Sequence, residues 1–261
     1  MPTTANLPIN TTATAMQMAQ TIFGPGVTVV GASYTGDPRS SGIYSDGDAI
    51  SPELTPGDTG VILSTGRATS ITNSSGAPNQ SPSTTTNTSG PDNDPWFNAA
   101  AGQPTFDAAY LDIDFIPTGD LMTMQFVFAS EEFPEYTFGD FQDFVGVWIN
   151  GSLVPIAIGS GEMNPENLNG EANPNLYFDN AAGSYNTEMD GFTATLTLTI
   201  PVNPGEVNSI RIGIADVLDA QYDSNLLIAA NSLQTVVIAE TDELTLYPFG
   251  QKTLDVMAND T

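Results

Sequence analysis

Thirty-one carboxylates share this chain with four cationic side chains, Arg39, Arg67, Arg211 and Lys252, leaving a net charge of −27 over 261 residues. Four cations cannot pair so many acids internally, and a compact body with that charge repels itself. Folding therefore calls for positive charge from outside the chain. Bulk salt screens only exposed charges, whereas bound cations neutralise at particular sites. The same imbalance excludes whole classes of partner. The sequence offers no basic surface to nucleic-acid phosphates or to an anionic membrane.

The kind of cation follows from what the sequence lacks. It has no histidine and no cysteine, which removes disulfides, thiolate zinc sites, the thiol nucleophile, the usual transition-metal ligand and the commonest general base. Calcium, a hard ion taking six to eight oxygens, is the expected cofactor ahead of magnesium. Hydrophobic residues still make up 40% of the chain, enough for a packed core and too many for a disordered one.

Periodicity predicts an all-β fold. One helix is expected over Thr12–Phe23, where Ala15, Met16, Ala19, Ile22 and Phe23 recur at helical spacing, Thr12 caps and Gly24-Pro25 stops. Strands are expected at Val27–Gly31, Gly60–Ser64, Met122–Phe128, Phe144–Ile149, Leu153–Ile158, Leu226–Ala230 and Thr235–Ile238. Leu111–Phe115, Ala194–Ile200 and Ile210–Ile214 alternate apolar with polar residues, as half-buried strands do. Asn150-Gly151 reads as a hairpin turn. The expected architecture is an antiparallel β-sandwich, jelly-roll-like, with one short N-terminal helix and long polar loops. The longest, Ser70–Gly90, is nearly all Ser, Thr, Asn, Gly and Pro and reads as a flexible excursion or a binding loop.

Candidate metal ligands gather in two places. Glu131, Glu132 and Glu135, then Asp140 and Asp143, crowd five carboxylates between two strands, and Asp216, Asp219 and Asp223 follow another strand. Such loops supply the charged and carbonyl oxygens that calcium takes, although neither has the spacing of an EF-hand. Asp92, Asp94 and Asp107 form a looser third group, and Asp112 and Asp114 read as a solvated strand face. Trp148 reads as core, and Trp96, in a polar loop, as a loop anchor or a ligand contact. An enzyme is not expected. A pair such as Glu131 and Glu135 would serve a glycoside hydrolase only at the right separation, and the nucleophile and phosphate-loop motifs are absent. Residues 1–10 lack the regions of a signal peptide, and no apolar run approaches the ~18 residues of a membrane span. The expectation is an internal fragment, or export directed from elsewhere in the protein.

The string Phe126-Val127-Phe128-Ala129-Ser130-Glu131-Glu132-Phe133-Pro134-Glu135-Tyr136, followed by Phe141-Gln142-Asp143-Phe144, resembles the choice-of-anchor L domain of bacterial secreted and surface proteins. Gly26–Val29, Tyr34–Gly36, Gly60–Gly66, Phe106–Leu111, Ile214–Asp216 and Tyr222–Ser224 agree with it, so the resemblance runs from about Thr12 to Leu233. It implies an extracellular location. Thr253–Thr261 resembles the opening of the cadherin-like repeats of giant bacterial adhesins, which bind calcium at their junctions. The implied division is a domain over 1–240 and a linker with the first strand of a repeat over 241–261, where Asn259 and Asp260 would meet a junction calcium. The resulting expectation is a calcium-stabilised ligand-binding or cap module of a repeat-containing adhesin, exported by type I secretion. Its partners would be a surface glycan or peptide and the neighbouring repeats, with a plain structural spacer as the alternative.

Overall fold

Two alternating segments meet to build the second face of the core. Strand Thr105–Pro117 pairs antiparallel with Asn208–Val217, setting Ile113 opposite Ile210 and Leu111 opposite Ile212. The computed structural model describes residues 4–236 except 82, 138–140, 142, 159, 160 and 163–165. Within it, Val27–Thr35, Thr105–Pro117, Asn208–Val217, Phe144–Ile149 and Ser152–Leu153 lie side by side in that order as a five-stranded sheet. The facing sheet runs Ile9–Asn10, Ser41–Tyr44, Gly60–Ser64, Ser224–Ala229, Leu121–Ser130, Gly191–Thr193 and Tyr177–Asp179, with Leu196–Pro201 and Gln234–Thr235 also on Leu121–Ser130. The chain is thus an antiparallel β-sandwich, as its periodicity predicts.

Alternation sorts the side chains into three apolar layers. Between the sheets, Leu111, Ile113, Phe115, Val145, Val147, Ile210, Ile212 and Ile214 pack against Val61, Leu63, Phe126, Phe128, Leu226 and Ile228. The outer face of the larger sheet carries a second layer, with Val127, Ala129 and Leu227 under Ile71, Met189 and Phe192. The outer face of the smaller sheet carries a third, where Phe97 covers Ala108, Tyr110, Trp148 and Ala215.

Several local details differ from the sequence expectation. The N-terminal helix is Ala15–Ile22, capped by Thr14 rather than Thr12, because Gln17 lies three residues on and completes a capping box. The expected strand Leu153–Ile158 is broken into Ser152–Leu153 and Ala157–Ile158, with Pro155 between them. Its hairpin turn is as read, with Asn150 and Gly151 both at positive φ. Asp94-Pro95 opens a short helix, Pro95–Ala101, in place of a loop. Asp112 is no bare solvated residue: it holds Arg211, its cross-strand partner, through two hydrogen bonds of 2.7 and 2.9 Å. The second half of the expected strand Thr235–Ile238, the linker and repeat strand expected over 241–261, and the candidate ligands Asp140, Asn259 and Asp260 lie outside the described residues.

Candidate functional site

At one end of the sandwich the inner-face register runs on past the apolar core and turns acidic. Two residues before Val145 comes Asp143, and two after Ile214 comes Asp216. In the same way Phe128 leads to Ser130 and Glu132, Leu226 to Ser224, and Ala109 to Asp107. Both sheets therefore send carboxylates into the same end of the interior. Strand pairing fixes the meeting, with Ser130 opposite Ser224 in one sheet and Ala215 opposite Phe144 in the other. A register shift between Ile214 and Asp216 brings the Asp107 segment alongside. Asp107, Leu218 and Tyr222 adopt left-handed backbone. That conformation is costly for Leu and Tyr and belongs to segments held by their surroundings.

Asp107, Glu132, Asp143, Asp216 and Asp223 are all buried, Asp216 to 2% exposure and Asp223 to 3%. Asp143 accepts from the Val217 amide at 3.2 Å and from the Ser224 hydroxyl, which also lies 2.8 Å from Ser130 Oγ. The others keep a bare oxygen. Asp107 Oδ2, Glu132 Oε2, Asp216 Oδ1 and Asp223 Oδ2 are buried with no hydrogen-bond partner among the described residues. An ionised carboxylate in that condition is expensive, so the proton is held to higher pH than on a free carboxyl. Burial, reinforced by the charges of Asp143, Asp219 and Glu135, pushes Glu132 up to about 9. Burial lifts Asp143 to about 7 against the Ser224 hydrogen bond, and lifts Asp223 to about 6. Asp216 is raised well above the usual range, first by burial and then by Asp143.

Gly66 is part of this arrangement. A β-carbon there would fall 1.7 Å from Asp223 Oδ2 and 2.0 Å from its Cγ, so the Asp223 carboxyl lies against the bare Gly66 Cα. Gly66→Ala should displace that carboxyl or the backbone and cost about 1–3 kcal/mol, read as a fall in the denaturation midpoint. Unchanged stability would place Asp223 elsewhere.

The polar residues 79–81 and 83–89 are strapped across the acidic end rather than looping away. The Thr86 amide donates to Asp223 Oδ1 at 2.7 Å, and the Thr88 amide and hydroxyl donate to Asp107 Oδ1 at 3.1 and 2.8 Å. The Gln80 and Ser81 amides donate to Glu188 Oε2 at 3.0 and 3.2 Å. In each case the strap satisfies one carboxyl oxygen, and the other is buried without a partner among the described residues: Asp223 Oδ2, Asp107 Oδ2 and Glu188 Oε1. Asp37 shows the contrast. It takes Ser89 from the strap and also the Arg39 guanidinium at 2.8 and 2.9 Å, which holds its carboxyl well below the usual range.

The remaining candidates are placed as follows. Glu131 is buried on the opposite face from Glu132, Glu135 is exposed, and Asp219 is half-buried beside the cluster. Asp92 is exposed and accepts from the Asp107 amide at 3.3 Å. Asp94 caps the helix Pro95–Ala101, with Oδ1 taking the Trp96 amide at 2.9 Å and Oδ2 the Tyr110 hydroxyl at 3.2 Å. Trp96 is 40% exposed and meets the buried Trp148 edge to face at 5.8 Å. Sequence reasoning missed Glu188, Asp190 and Asn225. The available signal was the continuation of each face's alternation beyond the apolar residues.

The inner-face acids fit a hard cation by donor type and by their unpartnered oxygens. Their proximity registers in their mutual effect on ionisation rather than as a formed coordination shell. Among the described residues, no three acidic side chains are drawn in around a common point.

The family model of the choice-of-anchor L domain matches residues 5–234, from before the edge strand Ile9–Asn10 into the last described strand. The chain belongs to the choice-of-anchor L domain family. Membership makes it a module of a cell-surface or secreted protein, and the acidic end lies wholly within the matched span. No helix among the described residues of this choice-of-anchor L domain is long and apolar enough to cross a membrane. No curated protein matches the chain. Among solved structures, a β-glucosidase from Kluyveromyces marxianus in complex with glucose aligns at 12% identity over 51% of this chain and 11% of that chain. Its TM-score of 0.21 is too low to bear on fold or function.

Proposed function

We propose that this choice-of-anchor L domain is a calcium-stabilised ligand-binding or cap module of a large, repeat-containing bacterial adhesin. The observation that carries the proposal is the meeting of five buried acids from both sheets, four of them with an oxygen unpartnered among the described residues. Asp107, Glu132, Asp143, Asp216 and Asp223 would hold the ion, with Asp219 beside them. Calcium would supply the positive charge that the sequence lacks and would tie the two sheets together at their acidic end.

A binding role draws support from the cleft beside Trp96. It has a volume of about 450 Å3 and is lined by Trp96, Trp148, Ala99, Ala100 and Leu153. The Arg211 guanidinium lies 4.8 Å from the Trp96 ring and 4.1 Å from the Tyr110 ring, held from behind by Asp112. An exposed indole fixed in this way offers a stacking surface to a surface glycan or peptide. Burial of the acids supports binding over hydrolysis, because a glycosidase presents its two carboxyls to an open substrate groove. In the intact adhesin, residues 241–261 would open a cadherin-like repeat, with Asn259 and Asp260 ligating a junction calcium, and export would follow a type I route.

Calorimetric titration tests the proposal. Glu132→Gln combined with Asp143→Asn should weaken calcium binding at least about tenfold, a change of about 1.4 kcal/mol, whereas Asp112→Asn should change it little. Sodium chloride at matched ionic strength should not replace calcium in stabilising the fold. Equal rescue by the two salts would leave only screening and defeat the specific site.

A further inference from the structure

Glu131 belongs to a different environment from its neighbour Glu132. Alternation along Leu121–Ser130 sends Val127 and Ala129 to the outer face of the larger sheet, and Glu131 follows them. In the adjacent strand Leu227 faces the same way, and Asn225 follows it. Glu131 and Asn225 are each 1% exposed. Both Glu131 oxygens and Asn225 Oδ1 lack a hydrogen bond of good geometry among the described residues. Asn225 lies beside Met189, with its Nδ2 3.0 Å from Met189 Sδ.

The residues on either side of Met189 complete the group. Glu188 is 7% exposed, with Oε2 tied to the strap and Oε1 without a partner among the described residues. Asp190 accepts from the Asn79 side chain. Burial pushes Glu131 up to about 9; the Thr84 hydroxyl and amide, close to its carboxyl, favour its charged form, and the charges of Asp190 and Glu188 oppose it. The Thr84 hydroxyl is itself buried without a hydrogen bond of good geometry among the described residues. Above them opens a cleft of about 640 Å3 whose lining, apart from Glu188, is almost wholly Ser, Thr and Asn side chains, Thr84 among them.

We propose that Glu131, Glu188 and Asn225, with the Thr84 hydroxyl, form a second divalent-cation site, on the outer face of the sheet and open to solvent through this cleft. Two carboxylates, an amide oxygen and a hydroxyl are the mixed hard-oxygen set that calcium accepts, and access from water suits its flexible coordination better than magnesium's. A cation there pins the strap to the sheet from the side opposite the inner-face acids. The inference rests on the calcium reading above, and it adds a site that can fail on its own.

Ion counting on the full chain separates the two. Native mass spectrometry with calcium should show that Glu188→Gln and Glu131→Gln each lose one ion, and that Glu132→Gln with Asp143→Asn loses a different one. Combining the two sets should remove both. If Glu188→Gln and Glu131→Gln bind as many ions as the wild type with unchanged affinity, the outer site is overturned and the inner one stands. A wild type that binds no calcium defeats both. Should the variants misfold, carbodiimide labelling of the wild-type protein decides the question, because Glu188 is reached through the cleft. Calcium should protect Glu188 severalfold, and equal labelling with and without calcium overturns the site.

Discussion

Stripping calcium at low ionic strength should lower the melting temperature of this domain by roughly 8–16 °C. An ion that binds only the folded state stabilises it by RT ln(1 + [L]/Kd), about 4 kcal/mol at a thousandfold excess over Kd. For a domain of this size each kcal/mol moves the midpoint by about 2–4 °C. The mechanism is specific: Glu132, Asp143, Asp216 and Asp223 are buried and come from both sheets. Without a cation, either they repel across the end of the core or they take up protons. Differential scanning calorimetry in calcium and in chelator measures the difference. Coincident melts at low salt would show that the buried acids need no ion.

The second large effect is a reversal of pH dependence on metal removal. In the unfolded chain these carboxyls titrate at about 4. In the folded, metal-free protein burial moves Asp223 to about 6, Asp143 to about 7, and Glu131 and Glu132 to about 9. Over that window the folded state binds more protons than the unfolded one, so stability falls as pH rises. The contribution is fully present below pH ~4 and is lost progressively as pH climbs through the folded-state values. Each such proton is worth about 1.4 kcal/mol per pH unit while its group titrates. Calcium should invert the sign, because a bound ion would compete with those protons and bind better as pH rises. Urea unfolding of metal-free protein at pH 5 and pH 8 should find it more stable at pH 5, and calcium should help far more at pH 8. Asp216→Asn should raise metal-free stability at pH 8 while weakening the calcium response. A metal-free protein more stable at pH 8 than at pH 5 would contradict the raised titration that burial imposes on these acids.

Much of this was readable before any coordinates. The alternation of Leu111–Phe115 and Ile210–Ile214 gives two adjacent strands of one sheet, because an inner apolar face tolerates only one register. The acids at 131–143 and 216–223 are legible as a charge excess that four cations cannot meet. Two things were hidden. The split between Glu131 and Glu132 depends on which face each strand turns to the core, and a cluster read as a loop conceals that choice. The strap was hidden because Ser, Thr and Asn carry no periodicity, and their value as donors shows only once Asp107, Glu188 and Asp223 are set opposite them. The Trp96 helix was missed although its start was present: Asp94 followed by Pro95 is an N-cap with proline at the first helical position.

The separation of Glu131 from Glu132 by a strand's alternation has a consequence for how this chain tolerates changes in length. Between Leu121 and Glu132 the count of residues has a parity. Inserting or deleting one residue near the start of the strand would send Glu131 to the interior and Glu132 to the outer face, and would turn Phe126 and Phe128 out of the core with them. A change of two would restore the faces but break the pairing of Ser130 with Ser224. The strand ends at Ser130, and past it the parity of a pleated strand no longer applies until Asp143 must again arrive on the inner face. Length variants should therefore be accepted in one part of the acidic segment and refused in the other, with the boundary at the end of the strand and not at the end of the charges.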